Sequence, residues 1–186
     1  MHTNKPTLRD TLYQKRRKNS LQYRTQASQM IFLRLLPYIR TIQPKTIHCY
    51  LATSYEVQTA DIITYAHANN ISVYSWLPSN EDYLPTRITP ETSWYSTQKG
   101  VPIPNSQPVS TLPRMDLIIP PLLGFDQHCN RLGHGQGTYD RFLAQQPQAI
   151  TIGLAYEQQQ VPRISCEPHD VPLDYIITEH TTYTQY

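Results

Sequence analysis

Hydrophobic residues recur along this chain at two periods. Leu8 and Leu12 stand one helical turn apart among bases, and this spacing predicts a helix over residues 5–18. Lys5 and Arg9 would share one face of that helix. Ser20 can cap a second helix carrying Gln29, Met30, Leu33 and Leu36 and ending near Pro37, because proline interrupts the helical hydrogen bonds. Residues 46–51 read as a strand. Val57, Ala60, Ile62, Ile63 and Ala66 then return to helical spacing as far as Asn69-Asn70, and residues 71–76 read as a strand again. Strand, helix and strand in this order make a βαβ unit, whose strands pair in parallel.

Residues 77–114 are proline-rich and hold little periodicity beyond a short strand pair around 87–95. Tyr83, Trp94 and Tyr95 are costly to expose in number, so the stretch should pack as a pocket-forming loop rather than serve as a linker. The pattern resumes at 115–119, a buried-looking strand that ends at Pro120-Pro121. A glycine-rich loop, a helix over 139–146 and strands over 150–155 and 174–178 follow. With no repeat and no internal boundary, residues 1–186 predict a single three-layer α/β domain, a largely parallel sheet flanked by helices.

Composition narrows the class. Hydrophobic residues make up 39% of the chain, enough for a core, while charged residues reach only 16%, against about 25% in an average domain. Neutral polar groups, including 17 glutamines, take up the difference. Arg34 and Pro37 break the longest apolar run, which stays short of the ~18 residues of a membrane span, and the first residues carry no apolar leader. Cys49, Cys129 and Cys166 form neither an even disulfide set nor a CxxC pair, so they read as buried thiols. The expectation is a cytoplasmic protein that binds no membrane.

The net charge of +2 conceals an asymmetry. Residues 1–24 carry seven bases and one acid, whereas the remaining 162 carry nine bases and thirteen acids. A basic arm suits an anionic partner, and a solvated helix face would look the same. No DNA- or RNA-binding motif accompanies it, so nucleic acid is not the expected partner.

Candidate chemistry concentrates in one segment. Four of the six glycines fall between Gly124 and Gly137, and the last three alternate in Gly133-His134-Gly135-Gln136-Gly137. In a glycine-poor chain this requires a backbone that curls tightly or approaches a ligand closely. The loop follows a strand and opens a helix, where backbone N–H groups and the helix dipole favour an anion. Arg131 and Arg141 add positive charge, and Asp140 offers a hard oxygen to magnesium. The run fits neither the Walker pattern nor the dinucleotide fingerprint, and a glycine-rich turn with a structural Asp–Arg pair would also account for it.

Read with their neighbours, these residues resemble a known family. The segment from Asp116 through Pro120-Pro121 to Asp126, followed by Asn130-Arg131-Leu132-Gly133-His134-Gly135-Gln136-Gly137-Thr138-Tyr139-Asp140-Arg141, is similar to the signature of the 5-formyltetrahydrofolate cyclo-ligases. Lys5-Pro6-Thr7-Leu8-Arg9 resembles the family's opening, and Tyr50 to Thr59 its strand-end segment centred on a glutamate. Gly153-Leu154-Ala155-Tyr156-Glu157, Glu167 to Asp174 and Glu179 resemble its C-terminal pattern. The resemblance implies ATP- and magnesium-dependent closure of 5-formyltetrahydrofolate to 5,10-methenyltetrahydrofolate, through a phosphorylated formyl group, in a monomer. It further implies that Lys5, Arg9 and the loop Arg131, Leu132, Gly133, His134, Gly135, Gln136, Gly137, Thr138, Tyr139 bind ATP. Arg9, Arg131 and Tyr139 would take part in catalysis, Leu51 and Glu56 would contact the folate, and Asp140 and Asp170 would hold magnesium.

Each assignment has a plainer counterpart: Glu56 as a helix cap, Asp170 as a turn former, Lys5 and Arg9 as a solvated face. Trp76, Tyr83, Trp94 and Tyr95 could stack on the folate, with core packing the simpler expectation. The chain departs from the family pattern at Gln136, Thr138, Leu122, Tyr55 and Ile103, mostly on the substrate side. The resemblance is therefore also compatible with a divergent nucleotide-binding relative.

Overall fold

The computed structural model describes residues 4–78, 83–96 and 102–185. Helix α1 (Lys5–Arg17) starts at Asn4, whose side chain accepts a hydrogen bond from the Thr7 N–H, with Pro6 in the first turn, where no amide hydrogen is needed. Helix α2 (Leu21–Ile42) starts at Ser20, whose hydroxyl oxygen caps the Tyr23 N–H. It does not stop near Pro37 but continues five residues further. Pro37 and Leu33 both face solvent, so water can take the carbonyl that the proline leaves without a donor. Ala27, Ile31, Leu35 and Ile39 form the buried stripe that keeps the helix going.

Strand β1 (Thr46–Cys49), α3 (Ala60–Ala68) and β2 (Ser72–Pro78) make the expected βαβ unit, with β1 and β2 parallel. Strand β3 (Tyr83–Ile88) pairs antiparallel with β2 at the sheet edge. Strands β4 (Ser93–Ser96) and β5 (Pro102–Asn105) form a separate two-stranded ribbon. The pair expected around 87–95 therefore does not exist as such. Residues 87–88 belong to the main sheet and 93–96 to the ribbon, whose prolines restrict it to two strands.

Strand β6 (Leu117–Ile119) is followed by the hairpin of β7 (Gly124–Phe125) and β8 (Arg131–Leu132), then by α4 (Thr138–Ala144). The wholly buried Asp126 holds this hairpin, accepting from the amides of His128, Asn130 and Ile164 and from the Asn130 side chain at 3.0–3.1 Å. Strands β9 (Ile150–Leu154), β10 (Tyr175–Ile177) and β11 (Thr182–Thr184) complete a seven-stranded sheet in the order β11-β10-β9-β6-β1-β2-β3. Its five inner strands are parallel and both edge strands antiparallel. Strand β11 was not among the sequence expectations.

Alternation along the strands divides the core in two. Ile47, Cys49, Leu117, Ile119, Ile152 and Leu154 face α2 and α3, whereas Ile118 and Ile176 face Phe142 and Leu143 of α4 on the opposite side. The result is the expected three-layer α/β domain. Helix α1 lies outside these layers, its Leu12 wedged against Leu132 and Ile164. Of the three thiols, Cys49 and Cys129 are buried but Cys166 is exposed, against expectation. Among the described residues, no helix is long and apolar enough to cross a membrane.

Candidate active site

Chain direction reverses beside β1: α3 carries the chain to β2 on one side, and the next parallel strand, β6, pairs on the other. In open α/β sheets a crevice opens at the carboxyl ends of such strands. Here it is a cavity of about 1050 Å³ walled by α1, the segment after β1, and the loop between β8 and α4. Lys5, Arg9, Leu51, Glu56, Asp170 and every residue from Arg131 to Asp140 line it. All the residues to which the family resemblance gave a site role thus line one cavity, whereas Arg141 does not.

The glycine-rich loop curls as its composition requires. Gly135 and Gly137 adopt left-handed backbone angles (φ 99° and 68°), which strain any residue with a Cβ. A Cβ on Gly135 would also stand 3.1 Å from the Arg9 guanidinium carbon. Arg9 can therefore lie against the loop backbone, where its Nε donates to the Gly133 carbonyl at 2.9 Å. Arg131 donates to Asp140 at 2.7 Å and lies 5.9 Å from the centre of the Tyr139 ring.

Lys5 closes the far wall, donating to Asp170 at 2.6 Å and to Glu167 at 2.9 Å. Burial works to lower the lysine pKa, but the two carboxylates outweigh it and the pKa rises. Asp170 shifts the other way: burial disfavours its charge, yet Lys5 and the Glu167 amide hold its pKa below the ordinary value. Asp170 also accepts from the Glu167 amide at 2.7 Å, so it forms the turn as well as facing the cavity.

Glu56 is buried, and its two oxygens have different surroundings. Oε2 accepts from the Thr53 amide and hydroxyl at 2.8 and 2.9 Å. Oε1 lies 3.4 Å from Arg16 Nη1 and 3.7 Å from the His134 imidazole. Burial opposes ionisation, but His134, the Arg16 charge and Thr53 together bring the pKa down to about 2. The surrounding backbone is pinned: the Tyr156 hydroxyl donates to the Glu56 carbonyl at 2.8 Å and the Tyr50 hydroxyl to the Val57 carbonyl at 2.7 Å. Glu56 does not cap α3, which begins four residues later.

Several wall residues had no site role from the sequence. Trp76, for which core packing was the simpler expectation, does both: it packs on His48 at 5.2 Å between ring centres and lines the cavity. Ile103, noted only as a departure, and the acidic Glu167 also line it. Trp94 and Tyr95 stand exposed on the β4–β5 ribbon instead of packing, at 46% and 56% accessibility. The side chain of Tyr83, and Gly100 with Val101, lie outside the described residues. Arg16, counted from the sequence with the basic arm, is buried at 3%.

The carboxylates suit magnesium held partly by phosphate. Among the described residues no three His, Cys, Asp or Glu side chains cluster as a closed metal cage. Asp140 and Asp170 both line the cavity, and the amide of Val171, the residue after Asp170, donates to Asp140 at 3.4 Å. One or two carboxylates beside a phosphate site is how proteins usually hold this ion. Beside them, the Arg131 Nε is buried with no hydrogen-bond partner among the described residues.

Comparison with known proteins agrees with this geometry. Residues 1–179 match the model of the 5-formyltetrahydrofolate cyclo-ligase family. The chain is 37% identical over 155 residues to the 5-formyltetrahydrofolate cyclo-ligase of Haemophilus influenzae, covering 80% of this chain and 83% of that protein. It is 30% identical over 190 residues to the mouse enzyme of the same name, covering 92% of each. Among solved structures it resembles a 5,10-methenyltetrahydrofolate synthetase from Mycoplasma pneumoniae, with TM-score 0.73 and 27% identity over 96% of this chain and all of that one. The Aquifex aeolicus synthetase shares the fold, with TM-score 0.81 and 22% identity over 97% of this chain and 92% of that one.

Proposed function

This chain belongs to the 5-formyltetrahydrofolate cyclo-ligase family, and we propose that it closes 5-formyltetrahydrofolate to 5,10-methenyltetrahydrofolate with ATP, releasing ADP and phosphate. The observation that carries this reading is the pairing, in one cavity of about 1050 Å³, of a cationic glycine loop with a buried, ionised glutamate. A cavity at the upper end of the usual ligand-site range has room for two small substrates side by side.

The proposed reaction uses no protein nucleophile. The formyl oxygen attacks the γ-phosphorus as ADP leaves, giving an iminium phosphate. N10 then attacks the formyl carbon, and phosphate departs with the former formyl oxygen and carries off the N10 proton. Lys5, Arg9 and Arg131 supply fixed positive charge where phosphate charge moves, and the Gly133–Gly137 backbone wraps the phosphates. Tyr139 and Thr138 border the place where formyl group and γ-phosphate meet. Glu56 accepts hydrogen bonds from the folate ring N–H groups, with Leu51 beside it. Asp140 and Asp170 would hold magnesium, which when bound neutralises phosphate charge. The proposed partners are these two small molecules, the proposed working unit a cytoplasmic monomer.

A second reading, a relative that binds nucleotide without closing this ring, draws on one observation. Gln136, Thr138 and Ile103, three departures from the family pattern, all line the cavity. Oxygen labelling tests the first reading directly. With ¹⁸O in the formyl group, the label should appear in the released inorganic phosphate; label retained in a folate product would refute the phosphorylated-formyl route.

A further inference from the structure

Helix α1 presents one buried stripe, and a charge lies in it. Leu12 and Arg16, one turn apart, are the buried residues of this helix, at 2% and 3% exposure. Arg16 does not line the cavity. Its guanidinium reaches Glu56 Oε1 at 3.4 Å and the Leu122 carbonyl at 3.3 Å, so it ties α1 both to the end of β6 and to the buried carboxylate. Its Nε has no partner among the described residues.

A buried ion pair stabilises a fold little better than apolar residues of the same volume, so stability alone does not account for an arginine here. The division of Glu56 does. Thr53 saturates Oε2 at short distance, whereas Oε1 has two long contacts, 3.4 Å to Arg16 and 3.7 Å to His134. Oε1 therefore keeps room for a shorter, stronger donor from a ligand in the cavity. Holding it charged without occupying it calls for a cation close enough to act through its field, fixed in place by a second bond.

We propose that Arg16 is a positioning residue for the folate: it holds the Glu56 carboxylate oriented, with Oε1 open to the cavity, and does not itself touch substrate. This rests on the reading of Glu56 as the folate-contacting carboxylate. Arg16 thereby makes α1 serve both substrates, with Lys5 and Arg9 toward the nucleotide and Arg16, through Glu56, toward the folate.

The test is calorimetric binding of 5-formyltetrahydrofolate and, separately, of magnesium-ADP to wild type and to Arg16→Met, Arg16→Lys, Glu56→Gln and the Arg16→Met/Glu56→Gln double variant. Arg16→Met should weaken folate binding about tenfold or more while ADP affinity stays within about twofold. Arg16→Lys should recover part of the loss, and the double variant should bind folate no worse than Glu56→Gln alone. A general structural defect would weaken both ligands together and would not be masked by Glu56→Gln. Folate binding lost in Glu56→Gln but kept in Arg16→Met overturns the role of Arg16 alone. Folate binding kept in Glu56→Gln overturns the reading of Glu56, and this role with it. A wild-type protein that binds no 5-formyltetrahydrofolate overturns the function itself. Should Arg16→Met not fold, Arg16→Lys decides: equal weakening of folate and ADP overturns the proposal, and weakening of folate alone supports it.

Discussion

Each carboxylate assigned a role at the cavity already holds a cation: Asp170 holds Lys5, Asp140 holds Arg131, and Glu56 holds Arg16. Such pairs set each carboxylate against a fixed cation before any ligand arrives. The buried Glu56 makes the consequence measurable. Its pKa is lowered from an ordinary 4.5 to about 2, because His134, Arg16 and Thr53 outweigh the burial that opposes ionisation. A lowered carboxylate pKa stabilises the fold above the unfolded value, and that contribution is lost as pH falls from about 4.5 through about 2. Denaturation midpoints followed between pH 6 and 2 should drop over that window, and Glu56→Gln should drop less steeply. Identical slopes would show that Glu56 is not the group titrating. On the nucleotide side, Arg9→Ala removes the cation laid against Gly133 and should lower kcat/KM for ATP on the order of 100-fold with an unchanged melting temperature. Near wild-type kinetics would contradict its role. Lys5 and Arg9 were legible in the sequence because helical spacing puts them on one face. Arg16 was not, since a base inside Lys15-Arg16-Arg17-Lys18 reads as solvated until Glu56, forty positions away, is folded against it.

At the scale of elements, the two periods of hydrophobic spacing located the βαβ unit and both long helices. They failed where proline stands against the local pattern. Helix α2 passes through Pro37 because its buried stripe, Ile31, Leu35 and Ile39, outweighs one lost hydrogen bond on the wet side. Pro37→Ala restores that bond and should stabilise the protein by about 1–3 kcal/mol, read as a higher thermal midpoint at unchanged activity. A lower midpoint would mean that the proline is compensated by packing. The β3 strand and the β4–β5 ribbon were misjudged together: Pro85, Pro102 and Pro104 lie within strands, in an edge strand and a two-stranded ribbon where their missing N–H groups are tolerated. Strand β11 is three residues long, too short for alternation to stand out, and its antiparallel pairing with β10 is a tertiary event.

The whole molecule brings both ends of the chain to one place. Lys5 meets Asp170 across 165 positions, and Glu56 stands between α1 and the glycine loop. The class of the fold was legible from the order of elements, and the half of the cavity proposed for nucleotide from its clustered glycines and charges. The half proposed for folate was legible only by resemblance, because its walls come from scattered single residues: Trp76 from β2, Ile103 from the ribbon, Leu51 just after β1. Of the departures from the family pattern that line the cavity, Ile103 belongs to that half, whereas Gln136 and Thr138 stand in the glycine loop between the two, so the second substrate is where the proposed function is most exposed to test. The most direct measurement mixes the purified protein with 5-formyltetrahydrofolate and magnesium-ATP and follows the near-ultraviolet absorbance of methenyltetrahydrofolate. A rise that requires both ATP and magnesium is the predicted result. No rise, with nucleotide binding still detectable, would contradict it and leave a nucleotide-binding relative with a different second substrate.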